Sequence, residues 1–211
     1  VTWRLGAAYT VRQTGTTIRG GYGTSFRSPT FLDLFGSSFG PGNPGLDPES
    51  AEGWDIGIDQ AIGEHHHIEV AYFRNTITDR IQTSFGSPPQ NTDGDTVADG
   101  FEVGLRGDWC DGKIGYRVAW TNLRKSLADQ PRNSASAVLD WKPTHKSLVG
   151  IGATHLSDHS WGGDPLESFT TVRLFGSYQL TENVRVHARL ENLFDEQYQL
   201  ASFYGDVIPG A

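Results

Sequence analysis

Strict alternation of apolar and polar residues dominates this chain. In the stretch from Phe101 to Trp109, the residues Phe101, Val103, Leu105 and Trp109 fall on one side, with Glu102, Arg106 and Asp108 on the other. Ile114, Tyr116, Val118 and Trp120 oppose Lys113, Arg117 and Thr121, and Val184, Val186, Ala188 and Leu190 oppose Arg185, His187, Arg189 and Glu191. Weaker runs of the same kind lie near 3–12, 17–26, 53–61, 67–82, 134–142, 147–155 and 170–180. A period of two places successive side chains on opposite faces, so about ten strands are predicted and no convincing helix.

The connections sort by length. Short ones fall at "RQTGT", "AIGEH", "CDGK", "KPTHK" and "LTEN". Long ones fall at 27–52, at "SFGSPPQNTDGDT", "SLADQPR" and "SDHSWGGDPLES", and from Glu196 onward. Long and short strictly alternate, which puts every long loop at one end of the sheet. A soluble sandwich has no reason for that segregation. An outer-membrane barrel has one, with short turns on the inner side and long loops outside. The expected fold is therefore all-β, an antiparallel transmembrane β-barrel segment. The mid-strand polar residues Arg106, Arg117, Arg185, Arg189, Glu191 and Asp140 would line the lumen. Trp3, Tyr9, Tyr22, Phe26, Trp54, Tyr72, Trp109, Trp120, Trp141 and Tyr178, placed towards strand ends, would form interfacial girdles. The same alternation also permits a soluble β-sandwich binding module, such as a carbohydrate-binding domain, with its apolar face against a protein core.

Composition narrows the choices. A formal charge of −8 lacks the basic footprint that phosphate binding needs, so no nucleic-acid partner is expected. A 36% hydrophobic content over 211 residues is low for a large soluble core, and the single Cys110 cannot close an internal disulfide. The absence of methionine suggests that the numbering starts inside a longer gene product. The three histidines at 65–67 alternate faces if they lie on a strand and cannot converge on one ion. Asn91, Asp93 and Asp95 have calcium-like spacing but lack the glycine and distal glutamate of an EF-hand loop. Asp158, His159, Asp164 and Glu167 make a second acidic stretch beside Trp161. No motif sets a nucleophile beside a base, so no catalytic residues, no cofactor and no metal are expected, and an outer-membrane enzyme is the weakest of the three classes.

The segment "GYGTSFRSPTFLDLFG" followed by "GNPGLDPESAEGWDIGI" resembles a signature of the TonB-dependent outer-membrane receptors, carried here by Phe26, Arg27, Ser28, Pro29 and Thr30, then Gly42, Asn43, Pro44, Leu46, Pro48 and Glu49. "ENLFDEQY", through Glu191, Asn192, Leu193, Phe194, Asp195 and Tyr198, resembles the family's motif near its C-terminus, and "VAYFRNTITDRIQ" is similar to an aromatic-rich middle strand. Asp47 departs from the basic residue more usual at its position. The resemblance implies that residues 1–211 are the C-terminal part of the barrel, about ten of roughly twenty-two strands, with the plug, the first barrel half and the last strand absent. It further implies residence in the outer membrane of a Gram-negative bacterium. The function implied is TonB-dependent uptake of a scarce bulky nutrient, cobalamin or a ferric siderophore. The partners implied are outer-membrane lipid, that ligand, and the TonB energy-transducing complex acting through the plug. The branch most similar in form is that of the cobalamin receptors. Arg27, Phe31, Phe35, Phe39, Asn43, Trp161 and Tyr204 are the expected substrate-side residues, and Arg106, Arg117, Arg185, Arg189 and Glu191 the expected plug-facing ones.

The first of these motifs also has a reading of its own. Pro29 removes a donor and drives Ser28 out of the helical region, so the strand stops there. "TFLDLFG" then makes one short turn, with Phe31, Leu34 and Phe35 packing against the loop base. Pro41, Pro44 and Pro48 stiffen the return. The result is either a collar bracing the rim or a preorganised ligand-contacting loop.

Overall fold

The computed structural model describes residues 1–38, 40–84, 86–125, 130–161, 164–203 and 206–209. In chain order the elements are β1 (Arg4–Val11), β2 (Thr16–Arg27), α1 (Phe31–Phe35), β3 (Glu49–Ile62), β4 (His66–Thr78), β5 (Ile81–Gln82), β6 (Gln90–Asn91), β7 (Thr96–Trp109), β8 (Ile114–Lys125), β9 (Asn133–Thr144), β10 (Ser147–Ser157), β11 (His159–Trp161), β12 (Asp164–Leu166), β13 (Phe169–Gln179), β14 (Arg185–Leu190), β15 (Gln199–Phe203) and β16 (Asp206–Pro209).

Ten of these strands form one sheet in the order β1-β2-β3-β4-β7-β8-β9-β10-β13-β14, and every neighbouring pair is antiparallel. The remaining short strands make three two-stranded ribbons, β5-β6, β11-β12 and β15-β16. Because consecutive long strands run in opposite directions, their connections alternate between the two ends of the sheet. Residues 12–15, 63–65, 110–113, 145–146 and 180–184 turn at one end; residues 28–48, 79–95, 126–132 and 158–168 connect at the other. The segregation of loop lengths predicted from the chain is present.

Antiparallel register places directly paired residues on one face. The pairs Tyr9↔Ile18, Ile18↔Ile58, Ile58↔Val70, Val70↔Val103, Leu105↔Val118, Val118↔Ala137, Leu139↔Ile151, Ile151↔Leu174 and Leu174↔Leu190 thus make one apolar face running across all ten strands. Among the described residues no second sheet covers it: Ile56 is 53% exposed and Ile151 43%. A β-sandwich buries these residues between two sheets, so the soluble sandwich alternative is not supported.

Aromatic rings bound that face on both sides. Towards the long loops Trp3 packs on Tyr22 at 5.2 Å, Trp54 on Tyr72 at 5.3 Å and Tyr72 on Phe101 at 5.0 Å, with Trp120 beyond them on β8. Towards the short turns Trp109 stacks on Tyr116 at 4.5 Å, with Tyr9, Trp141 and Tyr178 at the corresponding ends of β1, β9 and β13. From Phe101 to Trp109 the chain advances about 26 Å at about 3.3 Å per residue, or about 20 Å of height at a strand tilt of about 40°. That is close to the apolar band of about 25 Å of outer-membrane barrels.

Three local differences from the expected pattern have physical causes. The run 67–82 is not one strand: Asp79 takes φ 56, which turns the chain between β4 and β5. β9 continues through Pro143 to Thr144, so only residues 145–146 turn; the register shift opposite Ser147 and Val149 forms a bulge, where a missing N–H costs no ladder bond. Phe31 and Phe35 do not pack against the loop base. Their rings meet at a tilt, 4.8 Å between centroids, and stay 73% and 62% exposed, because one helical turn cannot aim three apolar residues inward; of the three only Leu34 is half-buried.

Candidate functional site

Two regions follow from this frame: the long-loop rim and the polar face. At the rim, α1 is a single turn closed at both ends. The Thr30 hydroxyl accepts the Asp33 N–H at 3.2 Å, the Asp33 carboxylate accepts the Thr30 N–H at 2.8 Å, and Gly36 at φ 74 donates back to the Leu32 carbonyl at 2.8 Å. This reciprocal cap satisfies donors that so short a helix leaves bare. The Thr30 N–H and hydroxyl, together with the Arg27 guanidinium, hold the Asp33 carboxyl below the usual carboxylate range; partial burial acts the other way. The chain returning from α1 lies directly on it. A Cβ on Gly42 would collide with the backbone of Leu34, Phe35 and Gly36, so only glycine fits there.

Arg27 closes the base of this loop. Its guanidinium lies 3.1 Å from Glu49 and 3.3 Å from Asp33, and Glu49 also accepts the Ile81 N–H at 2.6 Å. Asn43 reaches the neighbouring loop: its amide donates to the Pro89 carbonyl at 3.0 Å, and its backbone N–H donates to the Asp33 carbonyl at 2.8 Å. Asn91 ties the same loops from the other side, accepting the Asp47 N–H at 2.9 Å and donating to the carbonyls of Asp47 and Asp79. Asp95 accepts from Thr78 at 2.8 Å. Asn91 and Asp95 are therefore braces, not members of one convergent ligand set. Trp161 ends β11, opposite Asp164 in its register. Phe39 and Tyr204 lie outside the described residues. The structure thus gathers Arg27 and Asn43 around Asp33 and leaves Phe31 and Phe35 displayed on α1.

A second brace joins the 158–168 connection to the C-terminal segment. His159, only 6% exposed, places Nε2 3.1 Å from the Gln199 carbonyl, and Phe169 stacks on Tyr198 at 4.2 Å. Asn133 donates to the Asp158 carboxylate at 2.6 Å. Nothing in the one-dimensional spacing of these residues pointed to that contact.

The polar face carries the expected arginines, each with a polar or acidic partner. Arg106 and Arg117 are register partners; Arg106 lies 3.4 Å from Glu69 and Arg117 3.8 Å from Asp140. Arg185 donates to Gln179 at 2.7 Å, and Arg189 is ion-paired with Glu191, which lies just past the end of β14. Sequence reasoning missed Arg19, which meets Asp55 at 3.8 Å and Asp59 at 3.2 Å; a basic residue midway along "TTIRGGYGT" was the available signal. It also missed how these charges fit. Arg19 lies over Gly57 and Asp140 over Gly115, each about where a Cβ would come within 3.1 Å and 3.0 Å. Small residues opposite long charged ones leave a cavity of about 760 Å³ on this face, with Arg19, Asp55, Asn75 and Glu102 in its wall. The histidines split as alternation requires: His66 meets Tyr116 at 2.9 Å, His65 meets Asp108 at 3.0 Å, and His67 pairs in register with Arg106.

A sheet with one uncovered apolar face between aromatic rows, one charged face and all long loops at one end defines a segment of an outer-membrane-type barrel. Residues 1–193 match the family described as TonB dependent receptor-like, beta-barrel, and the chain belongs to that family. Among curated proteins it is similar to the vitamin B12 transporter BtuB of Vibrio vulnificus, 29% identical over 196 residues, covering 87% of this chain and 31% of that protein. The vitamin B12 transporter BtuB of Photobacterium profundum is 24% identical over 222 residues, covering 96% of this chain and 35% of that one. The chain thus spans about a third of the length of these relatives. Among solved structures, the copper transporter OprC superposes with a TM-score of 0.82 at 18% identity, over 98% of this chain and 37% of its own. The ferric enterobactin receptor PfeA of Pseudomonas aeruginosa superposes at 0.77 with 17% identity, over 100% and 37%. At those identities the structural likeness concerns the fold alone.

Proposed function

We propose that residues 1–211 are the C-terminal part of the barrel of an outer-membrane receptor that imports a scarce, bulky nutrient, a cobalamin or a ferric siderophore, with energy supplied by the TonB complex acting through a plug. The observation that carries this reading is the two-sidedness of the sheet. Its apolar face lies between two aromatic rows, and its charged face backs onto a rim of long, braced loops. On this reading the apolar face meets lipid. Arg106, Arg117, Arg185 and Arg189 meet the plug, and the 28–48 loop, with its Arg27–Asp33–Glu49 triad, stands on the ligand side of the rim. The role is one of binding and transport, not of catalysis. The names of the curated relatives favour cobalamin.

The test is a titration of the full-length receptor in detergent with cyanocobalamin, and in parallel with ferric enterobactin. Saturable cyanocobalamin binding at nanomolar to low-micromolar concentration supports the cobalamin branch. Tight siderophore binding without cobalamin binding keeps the receptor and replaces its substrate. Binding of neither ligand overturns the receptor reading.

A further inference from the structure

Towards the long loops the apolar face ends in charge. Tyr72 and Phe101 pair in register within the aromatic row there, and the next pair on the same face is Arg74↔Asp99. Two residues advance about 6.6 Å along a strand, so these charges stand just beyond the rings, on the face opposite the lumen arginines. Asp99 is 2% exposed; Tyr72 donates to its Oδ2 at 2.7 Å, and Arg124 Nη1 lies 3.7 Å from the same atom. Its Oδ1 is buried with no hydrogen-bond partner among the described residues. The bulge between β7 and β8 sets up this cluster. Gly100 pairs with Leu123 and Asp99 with Lys125, so Arg124 is the extra residue and Lys125 stands opposite Asp99.

Arg74, Arg124 and Lys125 thus gather about one carboxylate. A buried carboxylate is costly unless cations answer it, and Asp99 in turn relieves the repulsion among the three. The cations outnumber it in a chain whose formal charge is −8. Glu52, the next acid on this face, is engaged by the Tyr22 hydroxyl at 2.6 Å. Arg74 and Lys125 have no ion-pair or hydrogen-bond partner among the described residues, and the Arg124 side chain is 57% exposed. Aromatic rows sit at headgroup level in a membrane, so these cations stand at the depth of lipid phosphates. Guanidinium groups bind phosphate through paired N–H donors, and each cation near an anionic lipid surface adds to the attraction. Arg74 and Lys125 lie two strands apart, about 9.6 Å at the usual spacing, which suits a headgroup bearing two phosphates better than one. Below them Phe101, Val103 and Trp120 continue the face as an uncharged track for acyl chains. We propose that Arg74, Arg124 and Lys125, held by Asp99, bind the headgroup of a bisphosphorylated glycolipid in the leaflet at the long-loop end. This rests on the receptor reading above for which leaflet that is, and adds a specific bound lipid to a face otherwise in general contact with lipid.

The test uses the full-length receptor in detergent, stripped of lipid and titrated with bisphosphorylated lipid A, monophosphorylated lipid A and phosphatidylglycerol. The variants are Arg74→Gln combined with Lys125→Gln, Lys125→Gln alone, and Lys146→Gln, which removes a like charge at the short-turn end. Heat-modifiable migration on gels verifies that each barrel is folded. Bisphosphorylated lipid A is expected to bind tightest of the three. The double variant should weaken it by about tenfold or more, the scale of two charges beside anionic lipid. Lys125→Gln alone, at an exposed position, should give a smaller loss in the same direction, and Lys146→Gln should stay within about twofold. Unchanged affinity in the double variant, or an equal loss in Lys146→Gln, overturns the inference. So does phosphatidylglycerol or the monophosphorylated lipid binding as tightly as the bisphosphorylated one. The nutrient titration described above, run on the same preparation, keeps the two readings apart. Nutrient binding without discrimination among the lipids overturns this inference alone, and lipid discrimination without nutrient binding overturns the receptor reading alone.

Discussion

Arg27 and Glu49 face each other as the last register pair between β2 and β3, with Nη1 and Oε1 3.1 Å apart, and they close the base of the 28–48 loop. The same carboxylate holds the start of β5 through the Ile81 N–H. One ion pair therefore links two rim loops. The Arg27 side chain is half exposed, so the pair itself contributes only about 0–1 kcal/mol to global stability. Arg27→Gln is expected to leave barrel unfolding in urea nearly unchanged but to raise the rate of proteolytic cleavage within 28–48. Unchanged cleavage would mean that Asn43 and Asn91 suffice to hold the loop.

Asp33 makes that loop sensitive to acid. Its folded carboxyl titrates below its unfolded value of 3.8, because Thr30 and Arg27 favour the charged form. Its stabilisation is therefore complete above the ordinary carboxylate range and disappears as pH falls through the lower, folded value. Amide exchange over residues 30–36, corrected for intrinsic rates and compared with Asp33→Asn, reads this out. The two proteins should differ at pH 6 and converge as the medium is acidified past that folded value. Equal protection at pH 6 would remove the capping box from the account.

Val118 sits mid-height on the apolar face between Leu105 and Ala137, and is 42% exposed. Val118→Arg is expected to cost about 2–4 kcal/mol when the full-length barrel folds into lipid vesicles, the range for a cation at the bilayer midplane. Ser136→Lys, on the opposite face, should cost far less. Equal costs would show that the two faces meet the same medium.

Gly100 stands where β7 and β8 shift register, against the Asn122 carbonyl. An added Cβ collides with that backbone oxygen and cannot be relieved by a rotamer change. Gly100→Ala should therefore destabilise the barrel by about 1–3 kcal/mol, as overpacking does. Gly104→Ala serves as the control: its nearest contact would be the Glu69 Cβ at an ordinary 3.7 Å. Matching midpoints for the two variants would contradict the close approach at the bulge.

The strands themselves, their antiparallel order and the segregation of the loops were legible in the chain, because a period of two and the spacing of turn residues are local properties. Which face is apolar was equally legible, since alternation assigns every side chain once the strand is known. The rim was only partly so. Pro29 announced where β2 stops, and "TFLDLF" announced a turn, but the outward display of Phe31 and Phe35 depends on what the rest of the loop leaves uncovered.

Other features came into being only when distant segments met. Arg27 with Glu49, Asn43 with Pro89, and His159 with Gln199 join residues 22, 46 and 40 positions apart. Neither hydrophobic period nor turn chemistry carries information over such separations. The same holds for Arg19 lying over Gly57. Alternation along the backbone thus determined the two faces of the sheet. The chemistry of the rim was decided by packing between loops, because hydrogen bonds and ion pairs depend on distances in space that the order of residues does not specify.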